Sequence, residues 1–209
     1  MGRYTGPTCR MCRRAGTKLF LKGIRCYSGK CSVDKGANPP GVHGAKRSRK
    51  ASDYGIQLRE KQKLRRQYGM QEGQFHRFFE SALRAKGVTG VNLLQHLEMR
   101  LDNVVYRMGL APSRPAARQF VRHKHISLNG HIADVPSILV KVGDVIEVRD
   151  RQRSRDEAAR SLDVATSAQT PSWINIDTKM FRGEIISVPT REEIAPVADE
   201  QAIVELYSR

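Results

Sequence analysis

Four cysteines stand near the start of the chain with the spacing Cys9-x2-Cys12-x13-Cys26-x4-Cys31. Two close pairs separated by a loop is the arrangement that a tetrahedral four-thiolate centre needs. Each pair sits on a tight turn, and a zinc ion closes the loop through Zn–S bonds of about 2.3 Å. Lys and Arg flank the cysteines, a setting that lowers thiol pKa values and favours the thiolate. Four sulfur donors leave no coordination position open. The spacing therefore predicts one structural Zn2+ on Cys9, Cys12, Cys26 and Cys31, with an iron–sulfur cluster as the alternative occupant. The metal would stand in for a core that the Gly- and Pro-rich first 45 residues lack.

No other residue set has catalytic spacing. There is no GxSxG, Walker A loop, GxGxxG or HExxH. His123 and His125 flank Lys124 and are expected to face roughly opposite ways, as cationic or hydrogen-bonding groups. Asp102, beside Arg100 and Arg107, reads as a local ion pair, and Asp134 has no carboxylate partner. The expectation is a protein that is not an enzyme and has no small-molecule substrate.

What remains is electrostatic. The chain has 209 residues with 37 Lys and Arg against 21 Asp and Glu, a net charge of +16. Residues 1–50 carry 13 of those cations and a single acid, Asp34. Such an excess calls for a polyanionic partner. The hydrophobic fraction of 39% excludes simple disorder. No apolar run is long enough to span a bilayer, and no apolar leader follows Met1, so neither a membrane nor secretion is expected. Aromatic residues make up only 6%, which argues against stacking on single strands as the main mode of binding.

These cations need elements to carry them. The arm holds Arg3, Arg10, Arg13, Arg14 and Lys22. A connector of turn formers, Asn38 to Gly44, includes His43 and leads into Lys46, Arg47, Arg49 and Lys50. Ser52 is placed to cap a helix that ends before Gly69. Arg59, Lys61, Lys63, Arg65 and Arg66 crowd it, and its few apolar residues suggest that a partner holds it more than a core does. A second helix buries Phe75, Phe78, Phe79, Ala82 and Leu83 at helical spacing and ends at Gly87. A third begins near Thr89 and keeps Leu94, Leu97, Leu101, Val104, Val105 and Met108 on one stripe up to Gly109.

Ser113 caps a short helix with Pro115 in its first turn. Arg114, Arg118 and Arg122 recur every fourth residue and share one side of it, with His123, Lys124 and His125 just beyond. The period then becomes two: Ile126 to Leu128, an Asn129-Gly130 turn and His131 to Ala133 form a hairpin. Further strand is expected at 138–140, 145–148 and around 171–176. Residues 151–170 read as helix then loop. Ile203, Val204 and Leu206 should dock the C-terminal segment on the core.

Several stretches resemble one family. Leu97 to Arg107, Ser113-Arg114 with Ala117-Arg118-Gln119, and His125 to Gly130 are similar to the helix–hairpin RNA-binding module named after small-subunit ribosomal protein four. Gly2 to Pro7, Pro39 to Gly44, Leu58 to Arg66 and Glu200 to Arg209 resemble the bacterial ribosomal protein family itself. The cysteines match its zinc-bearing branch.

The resemblance implies an α+β fold: a zinc-stabilised basic N-terminal arm (1–45), a mainly helical domain (46–96 plus 166–209) and an inserted helix–β-hairpin RNA-binding module (97–165). It implies a cytoplasmic structural component of the small ribosomal subunit. Such a protein binds the 5′ domain of 16S rRNA early, nucleates assembly of the subunit body and supports translational accuracy. Its implied neighbours are ribosomal protein five and mRNA at the channel through which the message enters. The cations named above, from Arg3 to His125, become the candidate RNA contacts.

Two positions depart from the family. Lys124 stands where glycine is usual; if the site needs positive φ, lysine costs about 1 kcal/mol. Pro115 replaces a residue that is often basic. An RNA-modifying enzyme and a zinc-stabilised DNA-binding regulator are the competing readings. The first would need a catalytic domain that no span here can hold. The second predicts that duplex DNA competes equally with rRNA.

Overall fold

The computed structural model describes residues 2–46, 51–165, 171–194 and 196–208. Its helices and strands are α1 (Cys9–Ala15), α2 (Ile24–Tyr27), α3 (Asp53–Gln67), α4 (Glu72–Arg84), α5 (Thr89–Glu98), α6 (Leu101–Arg107), α7 (Arg114–Arg122), β1 (Ile126–Leu128), β2 (His131–Ala133), β3 (Val145–Val148), α8 (Gln152–Ala165), β4 (Ile174–Asp177), β5 (Arg182–Ile185), α9 (Arg191–Ile194) and α10 (Glu200–Tyr207). The architecture is thus α+β, as expected. The chain divides into two compact units, 1–94 with 195–209, and 95–194.

In the first unit the basic helix α3 begins where the sequence placed it. The Ser52 hydroxyl accepts the Gly55 N–H at 3.2 Å, and Gly69 at φ +63° follows the end. Few as its apolar residues are, α3 also has a partner within the chain. Helix α10 packs along it, burying Leu64 and Ile203. The Gln57 amide donates to Glu205 at 2.9 Å. On α4, Phe75, Phe79 and Ala82 are buried, while Leu83 is 58% exposed rather than in the core. The arm builds a small apolar nucleus of Cys12, Leu19 and Leu21, with Val33 and Val197 against it. Gly44 closes the connector: a Cβ there would run into the Pro39 carbonyl. A turn this tight admits only glycine.

The second unit holds a five-stranded antiparallel sheet in the order β2-β1-β3-β5-β4. Trp173, Ile126, Ile146, Ile185, Val104, Val105 and Met108 form its core. The β1–β2 hairpin turns at Asn129 and Gly130, both at positive φ. The Asn129 side chain also accepts the Val145 N–H at 2.8 Å and donates to Asp144 at 2.9 Å, tying that turn to the start of β3. Residues 171–185 belong to this sheet through β4 and β5, whereas the sequence reading grouped them with the helical domain. A lone strand-like segment does not reveal its partner, and β5 was not foreseen.

The expected third helix is two. Between α5 and α6, Arg100 is extended (φ −73°, ψ 137°). Segment 136–140 crosses there and takes the interrupted backbone groups. Leu101 and Asp102 donate to the Ile138 and Pro136 carbonyls, and Val140 donates to Met99. Consequently 138–140 forms only a bridge, Leu139 to Arg100, and not a strand. Of the expected helix then loop over 151–170, the helix is α8 and the remainder, 166–170, lies outside the described residues, as do Arg47, Arg49 and Lys50.

Candidate nucleic-acid interface

In the first unit, Arg3, Arg10, Arg14, Lys22, His43, Lys46 and Arg59 are exposed. Arg13 is partly covered and donates to the Asn38 carbonyl at 2.6 Å. The charges that matter most are those crowded by like charges. Arg66 on α3 is half-buried, and burial lowers its guanidinium pKa, with Arg65 and Arg14 of the arm lowering it further. Folding thus presses like charges from two elements together, at an electrostatic cost that a bound anion would reverse. Arg65 is itself steadied by Gln62, at 3.0 and 2.7 Å, and by Glu72 at 3.5 Å.

Two other cations of α3 are structural. Lys61 is buried and pairs with Glu72 at 2.5 Å beneath the ring of Tyr207. Lys63 pairs with Glu60. Burial alone would raise the Glu72 carboxyl, but hydrogen bonds from Lys61 and from the Tyr207 hydroxyl hold it below its usual value. Burial and the Glu72 carboxylate push Tyr207 up.

In the second unit the arginine stripe of α7 is only partly available. Arg114 is buried and donates to Asn103 Oδ1 at 2.7 Å, with Glu98 at 3.6 Å and the Tyr106 ring beneath. Arg118 pairs with Asp102 at 3.2 Å. They belong to a network that sequence reading missed. Fully buried Glu98 accepts two bonds from Arg107, both at 2.8 Å, and one from Asn103 at 2.7 Å. Asp102 accepts from Arg100 at 3.0 and 2.7 Å. Asp102 is thus paired with Arg100 as expected, while Arg107 turns to Glu98 instead. Polar residues on an otherwise apolar helical stripe were the available signal.

At the end of α7 the chain makes a Schellman turn. Lys124 donates to Val121 and His125 to Phe120, with Lys124 at φ +62°. The positive φ suspected from the sequence is therefore present. Its consequence corrects another expectation: the rings of His123 and His125 lie 6.1 Å apart rather than diverging. His125 stacks on Phe120 at 4.8 Å and shares a hydrogen bond with Ser154 at 2.8 Å. Burial, then His123 and Arg151, lower its pKa. The shift favours the neutral, hydrogen-bonding form of His125 over the cation. Arg122, His123 and Lys124 are exposed, and beside them stand Arg149, Arg151 and Arg153. The sequence reading named none of these last three as contacts.

No disulfide joins the four cysteines, of which three are buried and Cys9 partly so. Burial raises Cys12 and Cys26, against the expectation that flanking cations would lower them. Those cations are largely solvated, and the shielded sulfurs meet one another instead. The other three cysteines raise Cys12 further, so the four lie within electrostatic reach. Backbone N–H groups are turned toward sulfur: Leu19 onto Cys12, and Lys22 onto Cys26 at 3.3 Å. Among the described residues no three His, Cys, Asp or Glu side chains are drawn into a metal-binding group. The donor set, four sulfurs with N–H support around a nucleus of three buried residues, fits a structural thiolate-bound ion.

Paired helices leading into a hairpin, with exposed cations at the turn, define a protein of the S4-domain class. A family model described as "S4 domain" matches residues 99–146, and one described as "Ribosomal protein S4/S9 N-terminal domain" matches residues 3–98. The chain is 55% identical to small ribosomal subunit protein uS4 of Syntrophomonas wolfei and to uS4A of Symbiobacterium thermophilum, and 54% identical to uS4 of Geotalea daltonii. Each match covers 100% of both chains. The chain belongs to the small ribosomal subunit protein uS4 family.

Proposed function

We propose that this protein is a non-catalytic, cytoplasmic component of the small ribosomal subunit that binds 16S rRNA. It nucleates assembly of the subunit body and supports translational accuracy. The observation that carries this reading is the crowding of like charges at Arg66, where Arg65 and Arg14 act on a half-buried guanidinium, in a chain whose full length matches small-subunit relatives. Folded RNA offers dense phosphates and 2′-hydroxyls to such groups, and recognition is by shape.

The functional parts follow the three-part reading: arm 1–45, helical domain 46–96 plus 166–209, and module 97–165, with β4 and β5 adding strands to the module's sheet. Arg3, Arg10, Arg13, Arg14, Lys22, His43, Lys46, Arg47, Arg49, Lys50, Arg59, Arg65, Arg66, Arg122, His123 and Lys124 are the proposed RNA contacts. Lys61, Lys63, Arg114, Arg118 and His125 support them from within. Cys9, Cys12, Cys26 and Cys31 would hold one Zn2+, which would fix the arm and supply no reaction. Ribosomal protein five and mRNA entering the subunit are the proposed neighbours.

The test is competition at about 0.3 M salt, where non-specific phosphate binding weakens steeply. Labelled 16S 5′-domain RNA is challenged with excess unrelated RNA of equal length. Retained binding supports the reading, and equal displacement contradicts it.

A further inference from the structure

A groove of about 590 Å³ lies in the second unit between α7 and α8. It is lined by Pro112 and Phe120, by Gln119 of α7 and His123 just past its end, and by Arg153 and Glu157, one helical turn apart on α8. That volume falls in the range of small-ligand sites, and apolar lining with a few polar groups is their usual chemistry. Arg149 and Arg151 stand at the His125 end, close enough to act on that ring. No candidate contact read from the sequence lies on α8.

Resting on the rRNA-binding reading, we propose that this groove takes one unstacked guanine nucleotide of the bound RNA. The arginines at its rim suit a phosphate. The groove itself does not, because an acidic residue, Glu157, is part of its lining. A carboxylate is an acceptor only, so the group seated against it must present N–H donors. Guanine alone among the four bases offers two adjacent N–H groups on its Watson–Crick edge, which a carboxylate accepts together. Gln119 offers a further donor and acceptor, and the planar Arg153 guanidinium a stacking face. Glu157 meets Arg160 loosely, at 3.7 Å with both side chains exposed, and acts on the His125 ring from the same groove. More than half of its side chain is exposed, which leaves the carboxylate open to a ligand.

The sign of one substitution is diagnostic. Removing a negative charge from a surface that meets a polyanion strengthens binding or leaves it unchanged. Glu157→Gln in the full chain should instead weaken binding to the 16S 5′-domain transcript about five- to fifty-fold, the range for losing one paired base contact. Glu192→Gln, an exposed acid elsewhere in the unit, should not weaken it. Kethoxal, which attacks guanine at the same edge, should find a guanine protected by the wild-type protein and reactive with Glu157→Gln. Unchanged or tighter binding by Glu157→Gln, with an unchanged kethoxal pattern, overturns the groove proposal alone. Failure of the wild-type protein to select 5′-domain over unrelated RNA overturns the functional reading and the groove's ligand with it.

Discussion

Lys124 shows how one residue can be placed against its own backbone preference. The Schellman turn after α7 requires positive φ, and lysine at +62° carries the Cβ strain that glycine avoids. Lys124→Gly should raise stability by about 1 kcal/mol, a rise in Tm of roughly 2–4 °C for a chain of this size. The same change should weaken RNA binding if the ammonium meets phosphate. Calorimetry and a binding titration on one variant check both.

Asp102 makes the opposite case. It faces Arg100, whose side chain is 1% exposed, so Asp102→Ala leaves a buried cation short of its partner. A loss of about 3–5 kcal/mol is expected in urea denaturation, and a loss below 1 kcal/mol would contradict the pairing. This network also explains why the α7 stripe was half misread. Fourth-residue spacing shows that Arg114, Arg118 and Arg122 share a side, but not that Glu98, Asn103 and Asp102 come from other elements to meet the first two.

Among the elements, local signals were legible and crossings were not. Ser52, Ser113 and Asn129-Gly130 act through neighbouring backbone, so their caps and turn could be read directly. The break between α5 and α6 could not, because segment 136–140 imposes it from a distance. His125 couples the end of α7 to α8 through Ser154, and His96 on α5 is likewise lowered by burial. A histidine with a depressed folded pKa binds fewer protons folded than unfolded. Its contribution is present above the unfolded value of about 6.5 and is lost as pH falls toward the folded value. Tm should therefore drop as pH is lowered from 7.5 through 6, and His125→Phe, which keeps the stack on Phe120, should flatten part of that drop.

In the arm, native mass spectrometry of protein prepared with zinc should find one ion per chain, and a chelator should make all four cysteines reactive to alkylation. An unshifted mass contradicts the metal.

For the whole molecule, the sequence excess of +16 overstates the surface available to RNA, because folding pairs Lys61, Lys63, Arg100, Arg107, Arg114 and Arg118 with acids. The remaining cations set how many counterions RNA binding releases. The most direct test is the salt dependence of binding to 16S 5′-domain RNA, measured for the wild type and for Arg14→Gln with Arg66→Gln. About eight phosphate contacts predict a log–log slope of roughly −5 to −7, falling in size by about one per arginine removed. A wild-type slope shallower than about −2, or one that the two substitutions leave unchanged, would contradict an account in which these arginines hold the RNA.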